Sequence, residues 1–331
     1  MIYPRAMLVA LLLLTAADPG PALGPPRLPA GTERVYHGTA DEVGRGVSNP
    51  FRKRHELEVR LLVLASHPGG SDCAVLTRVW PLADPVVAGP ATALTGRGTP
   101  VRGDPSVRLD LIRVDPRGRV SRLPTEPFAV GSGATAGPLP EPLPDSLPVI
   151  EAGFFVPLPP RPVRAGDRWE ADAGDRWTVG QEVEWSGAAA VTVTAAWQSA
   201  GYDTPAAALT GWRRTDTLTV LPADGVAVAL DRLAERREGG KVVGELRVSY
   251  ARQSAGRLVG GLLKDATREV EAACRFAAEL APLVAQGPRA DKKLVRQRLV
   301  KMERHLNDRP ANVPFREAVE AVRASGEALL K

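Results

Sequence analysis

HELEVRLLVLASHPGGSDCAVLTRVW, residues 55–80, decides the fold class. Leu57, Val59, Leu61, Val63 and Ala65 alternate with other residues, which places them on one face of a strand. Cys73, Val75, Thr77 and Val79 alternate in the same way after Pro68-Gly69-Gly70. Two alternating runs joined by a Pro-Gly-Gly turn read as an antiparallel hairpin. SVRLDLIRV (106–114) adds a strand. Asp115-Pro116-Arg117-Gly118 turns it, with Pro at the second position, and RVSRL (119–123) returns.

Outward from this hairpin the chain changes character twice. Residues 131–162 are dense in proline, including GPLPEPLPDSLP and FFVPLPPRPV. Proline cannot donate to a ladder and favours extended polyproline segments. This stretch therefore reads as a connector between a first β-rich half, 33–130, and a second, 163–254, with Phe154 and Phe155 packed on the body. The second half contains AAVTVTAAW (189–197), two strands joined at Pro222-Ala223-Asp224-Gly225, and KVVGELRVSYARQ (241–253). From residue 256 to 331 the period becomes helical. Val259, Leu263, Ala266, Val270, Ala273, Ala277, Leu280 and Val284 form a stripe, with Pro282 near its end. Asp291 is a candidate N-cap for a second helix bearing Val295, Leu299, Met302 and Leu306. A third carries Phe315, Ala318, Val322 and Leu329. The expectation is an α+β protein: a large antiparallel assembly, curved or half-barrel, in two halves, with a C-terminal helical segment covering the sheet.

The first residues set the compartment. Arg5 precedes a short apolar core, Leu8–Ala17, and then DPGPALG. That core is well short of the roughly 20 residues that span a bilayer. The order is that of a secretory signal peptide, 1–22, cut after Ala22 or after Ala17. The mature chain is expected to be exported, periplasmic or secreted, and not membrane-spanning. Its formal net charge of +5 is spread among interspersed acids. Such a balance leans toward anionic partners, an envelope polymer, lipid or envelope protein, and not toward nucleic acid.

Few residues carry chemistry. The chain has two cysteines, Cys73 and Cys274, both in apolar settings. They read as buried hydrophobes. His67, Ser71, Asp72 and Cys73 contain nucleophile and base types, but turn and strand account for them, and no G-x-S-x-G elbow occurs. The four histidines, His37, His55, His67 and His305, are dispersed. No metal or cofactor motif is present, and the expectation is a protein that is not an enzyme. AGDRW occurs twice, at 165–169 and 173–177. Gly-Asp is a turn pair, so the doubling reads as a hairpin in which each tryptophan begins a strand, with solvated acids around it. Trp169, Trp177 and Trp185 are the candidate ligand-stacking residues. Lys292, Lys293, Arg296 and Lys301, on the second helix, are the candidate contacts to an anionic surface; Arg52-Lys53-Arg54 is a second basic run.

LEVRLLVLASHPGGSDCAVLTRV, FVPLPPRPVRAGDRWE and DTLTVLPADGVAVALDRL together resemble a set of exported, β-rich proteins of unknown function in planctomycete-type bacteria. The likeness rests on a P-V-x-x-G-D-x-W approach to the second half, here Pro162, Val163, Gly166, Asp167 and Trp169, and spans most of residues 33–254. The resemblance implies export and a β-rich body, and brings no catalytic residues. The second AGDRW departs from the single copy expected. Two functional readings follow. The first is a non-catalytic exported binding or envelope-associated protein. The second is a carrier of an apolar ligand in a half-open barrel covered by helices.

Overall fold

A computed structural model describes residues 22–45, 50–83, 101–123, 128–130, 153–171, 174–199, 202–203 and 210–331. The expected signal peptide (but for Ala22) and residues 131–152 of the connector lie outside these. Among the described residues the chain forms one curved antiparallel sheet of 13 strands that does not close into a barrel. Three C-terminal helices complete an α+β architecture.

The strands are β1 (Thr32–Gly44), β2 (Phe51–His67), β3 (Gly70–Ala83), β4 (Val101–Arg102), β5 (Ser106–Val114), β6 (Val120–Arg122) and β7 (Phe128–Val130) in the first half. The second half has β8 (Arg168–Glu170), β9 (Arg176–Trp185), β10 (Ala188–Gln198), β11 (Thr210–Leu221), β12 (Val226–Glu238) and β13 (Lys241–Arg257). Their order is β6-β5-β3-β2-β1-β13-β12-β11-β10-β9-β8, with β4 on β3 and β7 on β5. Each half is thus a meander, and the two join where the first long strand pairs with the last. That ladder runs from Thr32↔Arg257 to Gly44↔Gly244. The edge strands β6 and β8 are only three residues long, and β8 pairs with only Arg176–Thr178 of β9.

The strand β1 was not foreseen. TERVYHGTADEVG holds few bulky apolar residues, and opposite Val35 and Tyr36 its partner β13 bulges at Gln253. Its pairing is dictated by neighbours on both sides. Gly38 is required there, because a Cβ would fall 2.6 Å from the Tyr250 ring and 2.0 Å from the Ser249 carbonyl oxygen.

The two faces of the sheet belong to two cores. One contains Tyr36, Leu57, Val59, Leu61, Val63, Cys73, Val75, Ile112, Val179, Val193, Leu218, Leu230 and Tyr250. The other contains Leu62, Ala74, Leu76 and Leu109 with the helices. Adjacent residues of β2, Leu61 and Leu62, fall in different cores because side chains alternate. We call the first face inner and the second outer.

The helices are α1 (Gly261–Gln286), α2 (Lys292–Asn307) and α3 (Arg316–Ala328). Among the described residues they cover the outer face of β2, β3 and β5, and α3 also runs against β7. Ala266, Val270, Ala273, Ala277 and Leu280 of the foreseen stripe are buried. Val259 and Val284 are not: they stand 63% and 49% exposed, since Val259 precedes the helix and Leu283 takes the inward position at its end. Buried Glu269 meets His305 Nε2 at 3.0 Å, which ties α1 to α2. Asp291 caps α2, accepting from the Lys293 and Leu294 amides at 2.8 and 3.2 Å. Glu317 at the start of α3 pairs with Arg78 and lies 3.7 Å from Arg60, fixing that helix to the sheet. Deleting residues 259–331 bares Leu62, Ala74, Leu76 and Leu109. Burial of such a stripe supplies on the order of several kcal/mol, comparable with the net stability of a domain. The truncated protein is expected to aggregate or lose its cooperative melt; a soluble monomer with an unchanged melt would show that the helices contribute nothing to the sheet.

Candidate functional site

The inner face is organised in three bands, which the ladder registers define. The middle band crosses the sheet through Val179, Val193, Leu218, Leu230, Tyr250, Gly38, Leu57 and Val79, each directly opposite the next. Directly opposed residues share a face, so this is a continuous apolar belt from β9 to β3. Over it lies the end of the proline-rich connector, with Phe154, Phe155, Val156, Leu158 and Val163 buried. Phe154 stacks on Tyr36 at 4.0 Å between ring centroids and meets Tyr250 edge-on at 5.5 Å. Leu23 and Leu28 are buried beside it.

This cover is held chiefly by side chains. Its prolines at 157, 159, 160 and 162 have no amide to donate. Its backbone ties are scattered: the Leu158 amide to the Arg117 carbonyl at 2.7 Å, the Leu23 amide to the Val163 carbonyl at 2.9 Å, and a bridge between Phe155 and Val226. Trp169 Nε1 donates to the Pro157 carbonyl at 2.8 Å.

On one side of the belt the inner face is charged. Asp216 receives Arg232 through two bonds of 2.7 and 2.8 Å. Arg214 joins Asp175 and lies 3.4 Å from Asp216. Two carboxylates and two guanidiniums make the set neutral. Burial pushes the Asp175 carboxyl above its ordinary 3.8, against the pull of Arg214. Through Val248 and Ala40 the same row reaches buried His55, whose imidazole burial holds below 6.5. On the other side of the belt, where β1 begins and β13 ends, are Arg34, Arg252 and Asp224. Asp224 Oδ2 lies 3.5 Å from Arg34 and 3.1 Å from Arg252. The Tyr36 hydroxyl beside them donates to the Ala227 carbonyl at 2.9 Å.

The residues singled out from sequence separate into three places. Trp169 and Trp177 face one another across β8 and β9, stacked at 6.1 Å, with Trp177 in the inner core. Trp185 is at the far end of β9, roughly 25 Å along the strand, beside the Ser186–Gly187 turn. The doubled AGDRW is a hairpin: Gly166 and Gly174 both take positive φ, 84° and 78°. Its aspartates differ, however. Asp167 is in a turn, accepting from the Arg164 amide and Arg161, both at 2.9 Å, whereas Asp175 is buried and not solvated as expected. Lys292, Lys293, Arg296 and Lys301 are exposed on α2; Lys301 lies 4.0 Å from Glu279 and Lys292 donates to the Leu330 carbonyl. At the start of β3, the Ser71 hydroxyl donates to the Leu28 carbonyl at 3.0 Å, and Asp72 is paired with Arg113 at 2.7 Å. Cys73 and Cys274 are free, on opposite faces of the sheet. Among the described residues no three metal-ligating side chains converge, and no helix is long and apolar enough to cross a membrane.

Sequence reading missed Arg34, Asp175, Arg214, Asp216 and Arg232. The signal was present as parity: Arg214 and Asp216 share the face of Leu218 and Val220, and Arg232 that of Leu230 and Ala234. A charged residue in the core phase of a strand is the unusual observation.

No protein-family model matches the chain, and no curated protein matches it. Solved structures show partial likenesses of backbone course. One, from a study of lipid–protein interactions in lipovitellin, is 10% identical with a TM-score of 0.37, covering 88% of this chain and 36% of that one. The chain therefore spans about a third of lipovitellin's length. DynF, from the dynemicin biosynthesis pathway of Micromonospora chersina, is 10% identical with a TM-score of 0.19, covering 74% and 88%. A DUF1329 family protein from Desulfovibrio piger is 6% identical with a TM-score of 0.20, covering 70% and 87%.

The inner face also sets an alkaline limit. Burial pushes the Tyr36 hydroxyl from 10.0 to about 12 and the Cys73 thiol from 9.0 to about 12. A raised folded value means the protonated form is favoured in the fold. That stability is complete below pH 9 and is lost as pH rises toward 12. For Tyr36 the shift from 10.0 to about 12 corresponds to about 3 kcal/mol. Thermal melts from pH 7 to 11.5 should show the midpoint falling above pH 9, and less steeply in a Tyr36→Phe, Cys73→Ala variant. Parallel curves for the two proteins would assign the fall to other groups.

Proposed function

We propose that the protein is an exported, non-catalytic binding protein that carries an apolar ligand against the inner face of its sheet, in the space the proline-rich cover now occupies. The observation that supports this is the pairing of a continuous apolar belt with a cover that contributes side chains but few backbone bonds. A ladder strand in that position would be held by a bond at every second residue. Phe154 to Val163 is held at a few points, so exchanging its side chains for a hydrocarbon chain leaves few backbone groups unpaired. The charged set at Asp175, Arg214, Asp216 and Arg232 closes one end of the belt, and the short edge strands let the sheet flex around an occupant. The helices belong to the outer face, so in this reading they brace the sheet and do not form its lid.

The test uses the inner-face tryptophans as reporters. Titration with 12-bromododecanol below its solubility limit should quench Trp169 and Trp177 saturably, with one ligand per protein. Trp177→Phe should remove most of the signal. Phe155→Ala, which thins the cover, should tighten binding several-fold by lowering the cost of displacing it. Quenching that rises linearly without saturation, or that is unchanged in Trp177→Phe, would exclude the inner face as the ligand space.

A further inference from the structure

We propose that Arg34, assisted by Arg252, is a head-group site at the open end of the belt, so that the ligand is an amphiphile with one anionic head, a carboxylate or a phosphate monoester. This rests on the carrier reading and deepens it. Arg34 is only 4% exposed. Its Nε and Nη1 are buried and have no hydrogen-bond partner among the described residues. Arginine is charged at all physiological pH values. A buried guanidinium with two unmet nitrogens is costly unless an acceptor is supplied.

The neighbouring groups do not supply one. Among the described residues Asp224 is the carboxylate paired with it, 3.5 Å from Arg34 Nη2, and it is shared with Arg252 at 3.1 Å. Two cations facing one carboxylate leave one positive charge uncompensated. The hydroxyls nearby donate elsewhere, Tyr36 to Ala227 and Ser66 and Ser71 to the Leu28 carbonyl, and among the described residues none accepts from Arg34 Nε or Nη1. Arg34 Nε donates on the edge it shares with Nη2, the nitrogen nearest Asp224, and Nη1 donates on the other side, so an anionic head can place an oxygen at an unmet nitrogen beside Asp224.

Position supplies the second half of the argument. Arg34 stands opposite Leu61 in the ladder, on the inner face, and two residues from Tyr36, which stacks under Phe154. Asp224 is 37% exposed at the β11–β12 turn, so this end of the interior reaches solvent. A ligand lying along the inner face would set its head at Arg34 near the surface and its chain on the belt. The charged band beyond the belt is neutral as a set and offers no such excess.

The experiment compares dodecanoate, dodecyl phosphate, methyl dodecanoate and dodecanol as competitors of 12-bromododecanol on the intact protein. The two anions are expected to bind about 10-fold or more tightly than the neutral chains. Arg34→Gln should remove that preference and leave dodecanol binding within about 2-fold. Asp224→Asn removes the competing carboxylate and should tighten dodecanoate several-fold; this arm stands if Arg34→Gln fails to fold. Equal affinity for acid and ester, or no tightening in Asp224→Asn, overturns the proposal while leaving the carrier reading intact. Competition by inorganic phosphate alone as strong as by dodecyl phosphate would make Arg34 a free-anion site and also overturn it. If no dodecyl compound binds, the carrier reading fails and the head-group site falls with it.

Discussion

The ladder between β1 and β13 is the constraint on which the rest depends. Each half of the chain is a meander whose strands follow one another in order. A meander by itself has two edges and one apolar face to bury. Pairing Thr32–Gly44 with Lys241–Arg257 removes one edge from each half and merges the two apolar faces into one inner surface. Only then does the belt from Val179 to Val79 exist, and only then are Arg34 and Asp224, far apart in sequence, brought within 3.5 Å. The cost is closure of the long intervening chain, which grows only slowly with its length.

From this merged sheet follows a division of labour between the faces. The inner face carries an apolar belt flanked by buried charges and is covered by the chain's own proline-rich segment. The outer face is apolar on β2, β3 and β5, where the helices sit. Elsewhere it carries residues that tolerate water: Thr178, Thr194 and Thr217 stand opposite one another across β9, β10 and β11, followed by Asp231 and Ser249. Threonine combines strand propensity with a hydroxyl, which suits a sheet wet on one side. The same alternation that builds the core thus leaves the solvent face legible.

Much of this was legible in the sequence, and the rest was hidden for identifiable reasons. The hairpin of β2 and β3 was plain because Leu57 to Ala65 and Cys73 to Val79 hold strict period two. The three helices were plain from their stripes and from Asp291. The strand β1 was hidden because Gly38 and Ala40 occupy its inward positions, where the bulk comes from Tyr250 and Phe154 instead. Its partner on one side is more than two hundred residues away, and no local pattern announces such a pairing. The charged inner-face residues were overlooked because Arg-Thr-Asp-Thr in β11 reads locally as a solvated strand. Only its phase against Leu218 and Val220 reveals that the charges point inward. The tryptophans were visible as candidates, but spacing alone could not show that Trp169 and Trp177 meet while Trp185 stands apart.

The central claim is that the cover over the belt is a separable occupant of the inner face and not a permanent part of its core. Native-state hydrogen exchange tests this most directly. The amides of Phe155, Val156, Leu158 and Val163 should exchange through a local opening far cheaper than global unfolding, while those of Tyr36, Val59 and Val248 in the central ladders should exchange only with it. If the amides of the cover and the ladders share one opening free energy and respond alike to denaturant, the cover is locked in place and the inner face is a filled core with no room for a guest.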